Sequence, residues 1–130
     1  MVRKTIGWLV LLGLVPCGCL NLPIHKLADS DPMVDAIYQQ AMKEKRIGSG
    51  PMPTDIVLKE IPLSTPLAKA RATMGKHGFS CWSAVPINNS MCLHCTAYKS
   101  GPYKTFKVVV KFIYANKEPK IVQSVEVTVE

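Results

Sequence analysis

The chain lacks the signatures that announce a reaction. It has no GxSxG nucleophile turn and no glycine-rich loop to cradle a phosphate. Thr96 rather than a histidine follows Cys95, so the CxxCH needed for covalent haem attachment is missing. No internal repeat is evident. Histidine is scarce, at 3 residues, and His25 falls in a stretch without periodicity. Acids are scarce as well: 9 Asp and Glu stand against 16 Lys and Arg, for a formal charge of +7. Asp29, Asp31 and Asp35 cluster only where a helix starts, at the positive end of its dipole. Nothing in their placement points to paired-acid glycosidase chemistry. These absences weigh against an enzyme. No cofactor and no small-molecule substrate is expected, and no nucleic-acid motif occurs.

What is present begins with residues 1–19, MVRKTIGWLVLLGLVPCGC. Arg3 and Lys4 precede an uncharged apolar run over residues 5–15, then Pro16, and Gly18 directly before Cys19. A positive n-region, an apolar h-region of about 7–15 residues and a small-residue cleavage site make an export signal. The h-region is shorter than the roughly 20 apolar residues a spanning helix needs. A cysteine after glycine at the end of such a run resembles the lipobox of bacterial lipoproteins. In that family the cysteine is acylated and becomes the new N-terminus, which implies a cut after Gly18 and a lipid on Cys19. Pro16 departs from the pattern, standing where the family usually has leucine. An uncleaved anchor reaching Ile24 and an ordinary cleaved secretory signal are the alternatives, and Pro16 and Pro23 disfavour the first. Leu20 and Asn21 lack the aspartate that retains related lipoproteins at an inner membrane, so an outer membrane is mildly favoured if the host has one.

Without residues 1–18 about 110 residues remain, enough for one small domain, with a net charge of about +5. The expected organisation is a signal over 1–18, a tether over 19–30, a helix over 31–47, a linker over 48–54 and an α+β domain over 55–130. Asp31-Pro32 is a cap followed by proline at the first helical position. Met33, Val34, Ile37, Ala41 and Met42 follow as one apolar stripe, giving a helix of roughly 32–46 that is either docked or mobile. The run Gly48-Ser-Gly-Pro-Met-Pro53 is a breaker. Ile56, Val57, Leu58 and Ile61 read as a short strand. Ser64-Thr65-Pro66 opens a second helix, roughly 66–77, by the same cap-and-proline logic. Residues 79–85 and 91–98 read as strands around a turn at 86–90. In residues 105–114, Phe106, Val108, Val110, Phe112 and Tyr114 share one face, with Lys107 and Lys111 on the other. Residues 121–130 alternate likewise and pair antiparallel with them. The fold class is therefore α+β: two helices packed on one face of a small antiparallel sheet of three to four strands.

Cysteine arithmetic adds a constraint. With Cys17 lost and Cys19 acylated, Cys81, Cys92 and Cys95 remain in a compartment where disulfides form. Along a strand, Cys92 and Cys95 would be about 10 Å apart on opposite faces, beyond the roughly 7 Å a disulfide tolerates. A five-residue hairpin loop puts Val85 opposite Met91, and hence Cys81 opposite Cys95. Cys81–Cys95 is the expected bond and Cys81–Cys92 the alternative. A thiol-redox or metal protein using Cys92 and Cys95 is the competing functional class. A zinc set drawn from His77, Cys81, Cys92, Cys95 and His94 matches no familiar spacing.

Lys99, Lys104, Lys107 and Lys111 are concentrated in the β region. They read either as a solvated face or as a surface for an acidic protein partner or an anionic envelope surface. Finally, Pro62-Leu-Ser-Thr-Pro-Leu-Ala-Lys-Ala, Gly78-Phe-Ser-Cys81 and Leu93-His-Cys95, followed by two strands, resemble many small bacterial lipoproteins. The order of helices before an antiparallel sheet, over roughly residues 56–130, is similar to the small lipoprotein of the outer-membrane barrel assembly machine. It is similar too to each half of the β-lactamase inhibitory protein. Those relatives bind proteins and catalyse nothing. The resemblance implies a lipid-anchored binding or scaffolding module of the cell envelope, facing the periplasm or exterior.

Overall fold

The structure, a computed structural model, describes residues 28–87 and 90–130. Cys19 and its acylation, the leader and the tether before Ala28 lie outside the described residues. Among the described residues three helices come first: α1 (Pro32–Glu44), α2 (Asp55–Glu60) and α3 (Leu67–Lys76). Four strands follow: β1 (Ser80–Ile87), β2 (Ser90–Ser100), β3 (Thr105–Ala115) and β4 (Ser124–Val129). They form one antiparallel sheet in the order β1-β2-β3-β4. The α+β class holds. Among the described residues, no helix is long and apolar enough to cross a membrane.

α1 starts where its cap dictates. The Asp31 carboxylate accepts the Val34 N–H at 3.0 Å and Pro32 occupies the first turn. The helix stops at Lys45, whose left-handed φ of 56° turns its N–H onto the carbonyls of Ala41 and Met42. Met33, Val34, Ile37, Tyr38 and Ala41 are buried, so the helix is docked rather than mobile. Met42 is not part of that stripe. It lies 100° beyond Ala41 around the helix and is 46% exposed.

Residues 56–61 correct the sequence reading. They form α2 and its cap instead of a strand. Val57 and Ile61, four apart, are the buried pair, and the Ile61 N–H donates to the Val57 carbonyl at 2.8 Å. An apolar run this short carries no decisive period. Among the described residues, three helices rather than two thus contribute to the core over the sheet. α3 lies close to its expected place, with Ala70 and Met74 buried, but it lacks the expected hydroxyl cap. The Thr65 hydroxyl instead donates back to the Pro62 carbonyl at 2.6 Å. After α3, Gly78 takes a φ of +87°, and a Cβ there would sit 3.0 Å from the Ala28 Cβ. Glycine is required twice over, for the turn and for the close approach.

In the sheet, the helix-facing side carries Leu93, Cys95 and Ala97 of β2, Val108, Val110, Phe112 and Tyr114 of β3, and Val127 and Val129 of β4, all buried. These meet Ile37, Val57, Ile61 and Met74 from the helices in one core. Each such large side chain contributes roughly 1.5–3 kcal/mol by leaving water. The β1–β2 strands run closer to their turn than expected. Ile87 pairs with Ser90, and the register slips between Ala84 and Ile87. Pro86 falls in that slip on an edge strand, where a missing N–H breaks no ladder. The last strand is shorter than expected. Ile121 bridges Pro66 instead, and Val122 is buried with its N–H on the Thr65 carbonyl at 2.9 Å. The outer edge of β4 is partly paired by the linker: the N–H groups of Gly48 and Met52 donate to Val129 and Val127 at 2.8 Å.

Candidate functional site

With α1, α2 and α3 on one side, the other side of the sheet has no described helix over it. Alternation fixes what it carries. The strand register lines up Trp82, His94, Lys111 and Glu126 in one row across the four strands. Ala84, Cys92, Ile113 and Ser124 form the row on one side of it, and Ser80, Thr96, Val109 and Thr128 the row on the other. Trp82 and His94 are stacked, with centroids 4.6 Å apart and planes 22° from parallel, and Trp82 is 46% exposed. Val109 is buried although it faces away from the core. Lys107 and Lys111 flank it along β3, where long aliphatic stems cover apolar neighbours.

The charges on this face are balanced in place. The Lys111 ammonium stands 3.9 Å from the Glu126 carboxylate across β3 and β4, and Lys107 stands 3.5 Å from Glu130. Both pairs are substantially exposed and contribute little to stability. They do set the electrostatics of their neighbours. Burial first, then Lys111 and Lys107, hold the His94 pKa below its ordinary 6.5, so the ring is neutral at pH 7. Burial likewise pushes the Cys92 thiol above its ordinary 9.0, against a smaller opposing pull from Lys111. The β1–β2 half of the face is uncharged at pH 7, and the β3–β4 half carries the paired charges.

The four lysines singled out from the sequence do not share one surface. Lys107 and Lys111 lie on the face away from the helices, on β3. Lys99 lies on the core side at the sheet end, 3.2 Å from the Asp35 carboxylate and 5.7 Å from the Tyr38 ring centroid. Lys104 belongs to the β2–β3 turn, 5.0 Å from the Phe106 ring centroid. Strand register separates them: Lys99 pairs with Phe106, a core-side residue, while Lys107 pairs with Tyr98. A continuous basic sheet is therefore not what these residues build.

The cysteines divide similarly. Cys81 and Cys95 are directly opposite one another and joined by a disulfide. The bond lies on the core side, and Cys92 is a free, half-buried thiol on the other face. Cys92 and Cys95 thus lie on opposite faces with Cys95 already bonded to Cys81, and raising a thiol pKa lowers its nucleophilic fraction. Among the described residues, no three His, Cys, Asp or Glu side chains are grouped to hold a metal. His77 is engaged elsewhere. Its Nδ1 is 2.8 Å from Asp31 Oδ1 and its Nε2 is 2.6 Å from Glu60 Oε2. Burial would lower its pKa, but the bonds to Glu60 and Asp31 outweigh it and carry the imidazole above 6.5. This clamp joins the start of α1, the end of α2 and the cap of α3.

Sequence reasoning missed both the Trp82–His94 stack and the clamp. The first had a signal: once Cys81 faces Cys95, the next residue of β1 must face the preceding residue of β2. No family model, no curated protein and no solved structure matches this chain.

Proposed function

We propose that the protein is a lipid-anchored, non-catalytic binding module of the cell envelope that receives a protein partner on its open sheet face. One observation carries the choice of face: a half-exposed tryptophan on β1, stacked on a neutral histidine of β2, stands on a sheet surface that no described helix covers. Tryptophan in a preformed apolar setting is the residue type that dominates binding energies, and the paired charges on the β3–β4 half supply orientation more than affinity. The cell-envelope location and the lipid on Cys19 rest on the leader, and the Cys81–Cys95 disulfide agrees with an oxidising compartment.

Two measurements test this. Intact mass of the protein isolated from membranes should correspond to a chain beginning at Cys19 with acyl groups attached. A photo-crosslinking amino acid at Thr128 or Ser80 should then capture a specific protein, and one at Ala72 on α3 should not. Trp82→Ala should abolish the Thr128 adduct. Equal capture from both faces, or capture indifferent to Trp82→Ala, refutes the site.

A further inference from the structure

The described chain begins at the same end of the sheet as the β2–β3 turn. The Ala28 N–H donates to the Tyr98 carbonyl at 2.9 Å. The Asp29 carboxylate accepts the Ser100 N–H at 2.7 Å and the Ser100 hydroxyl at 2.8 Å. The point where the tether joins the domain is therefore fixed beside the last residues of β2, next to residues 101–104. Those residues form an exposed tip. Tyr103 is 99% exposed, and Pro102 and Lys104 are exposed on either side of it.

The tip is held out by its own base. The Gly101 N–H donates to the Lys104 carbonyl at 2.8 Å. The Phe106 ring packs so closely on Gly101 that a Cβ there would collide with it. Phe106 rests in turn on Tyr38 of α1, at 5.2 Å between centroids. Tyr103 is thus displayed by a braced turn, and Lys104 follows it in sequence with its ammonium 5.0 Å from the Phe106 ring centroid.

Covalent geometry sets the scale. From residue 19 to residue 28 the chain reaches about 30 Å when fully extended. From Tyr98, where Ala28 is held, back to Ser90 at its other end, β2 runs about 26 Å. A lipid on Cys19 could bring the opposite end of the sheet to a bilayer only with the tether drawn nearly taut along the domain. The end bearing Tyr103 needs no such stretch. Tyrosine is an interfacial residue, with an apolar ring and a polar tip, and lysine beside it favours anionic headgroups.

We propose that the turn at residues 101–104 is a membrane-contact element, with Tyr103 seated in the headgroup layer and Lys104 against the phosphates of anionic phospholipids. This rests on the lipid-anchor reading above. The test is full-length protein processed in its host, with Tyr103→Trp or Lys117→Trp in a Trp82→Phe background, reconstituted into vesicles containing phosphatidylglycerol and lipids brominated near the headgroup. Acylated Cys19 by intact mass, together with several-fold stronger bromine quenching at position 103 than at 117, is the expected result. Acylation without that difference overturns the membrane-contact element and leaves the anchor standing. An unmodified Cys19 overturns the anchor, and the contact element falls with it. Equal quenching at 103 in vesicles of phosphatidylcholine alone overturns the assignment to anionic lipid.

Discussion

Replacing His77 by glutamine should make the protein's stability nearly indifferent to pH across a window in which the native protein's is not. Both ring nitrogens face carboxylates, Asp31 at 2.8 Å and Glu60 at 2.6 Å, and the His77 side chain is only 13% exposed. Both bonds are best made by a doubly protonated ring. A hydrogen bond to a charged group contributes about 1.5–3 kcal/mol. The Glu60 side chain is half exposed, so its share is screened and the two together should be worth about 2–3 kcal/mol. The folded-state pKa is raised above 6.5. The stabilisation is therefore complete below pH 6.5 and is lost as pH rises through the folded value. Urea unfolding at pH 5.5 and at pH 9, in a Cys92→Ser background to prevent thiol exchange, isolates the effect. The stability gap between the native residue and His77→Gln should be about 2–3 kcal/mol at pH 5.5, a shift of roughly 10–20 °C in melting temperature. At pH 9 it should shrink. Since m should be unchanged, the midpoint alone reports the difference. A gap that is constant with pH, or that widens as pH rises, would show that His77 acts through packing and not through its charge.

The Cys81–Cys95 bond closes a loop 14 residues apart in sequence, so Cys81→Ala with Cys95→Ala should cost about 3 kcal/mol in denaturant unfolding, and adding a reductant should destabilise only the native protein. Gly78→Ala meets both a positive φ and the Ala28 Cβ at 3.0 Å, so it should cost about 1–3 kcal/mol, read as a lower melting temperature. Cys92 should react slowly with a thiol-specific chromogenic reagent at pH 7.5 in the folded protein and accelerate only above pH 9, because burial holds its thiol protonated. Reaction as fast as in the urea-unfolded chain would contradict that burial.

Sequence was most informative where one strong rule acted alone. Alternation in β3 placed Val108, Val110, Phe112 and Tyr114 on the core side, where all four are buried. The Asp31-Pro32 start of α1 survived because the cap is local: donor and acceptor are three residues apart. The Cys81–Cys95 pairing came from counting back from a five-residue loop; the real turn is tighter, with Ile87 opposite Ser90, and the slip between Ala84 and Ile87 restores the register that the longer loop assumed. The failures came where local rules were weak or partners distant. Residues 56–61 hold too few apolar positions to distinguish a period of two from one of 3.6. The buried Val122 breaks the alternation of the final segment because it closes against Thr65 before the ladder begins. The clamp joins His77 to Asp31, 46 residues away, and no spacing rule reaches that far. The lysines were grouped by proximity in sequence, but Lys99 follows a different face once β2 and β3 are paired.

An open sheet leaves two unpaired borders, and this one treats them unequally. The linker partly covers the β4 border with ladder-like hydrogen bonds, whereas on β1 the Arg71 guanidinium donates to the Cys81 carbonyl at 3.2 Å. The sulfur crosslink on that border strand is therefore also a guard against strand exchange. Cut it, and β1 becomes the easiest segment to peel away, baring the long flank of β2 to the same segment of a neighbouring molecule. Reduction would then cost solubility before it cost the helices, with dimers and larger aggregates forming while most of the helical signal persists.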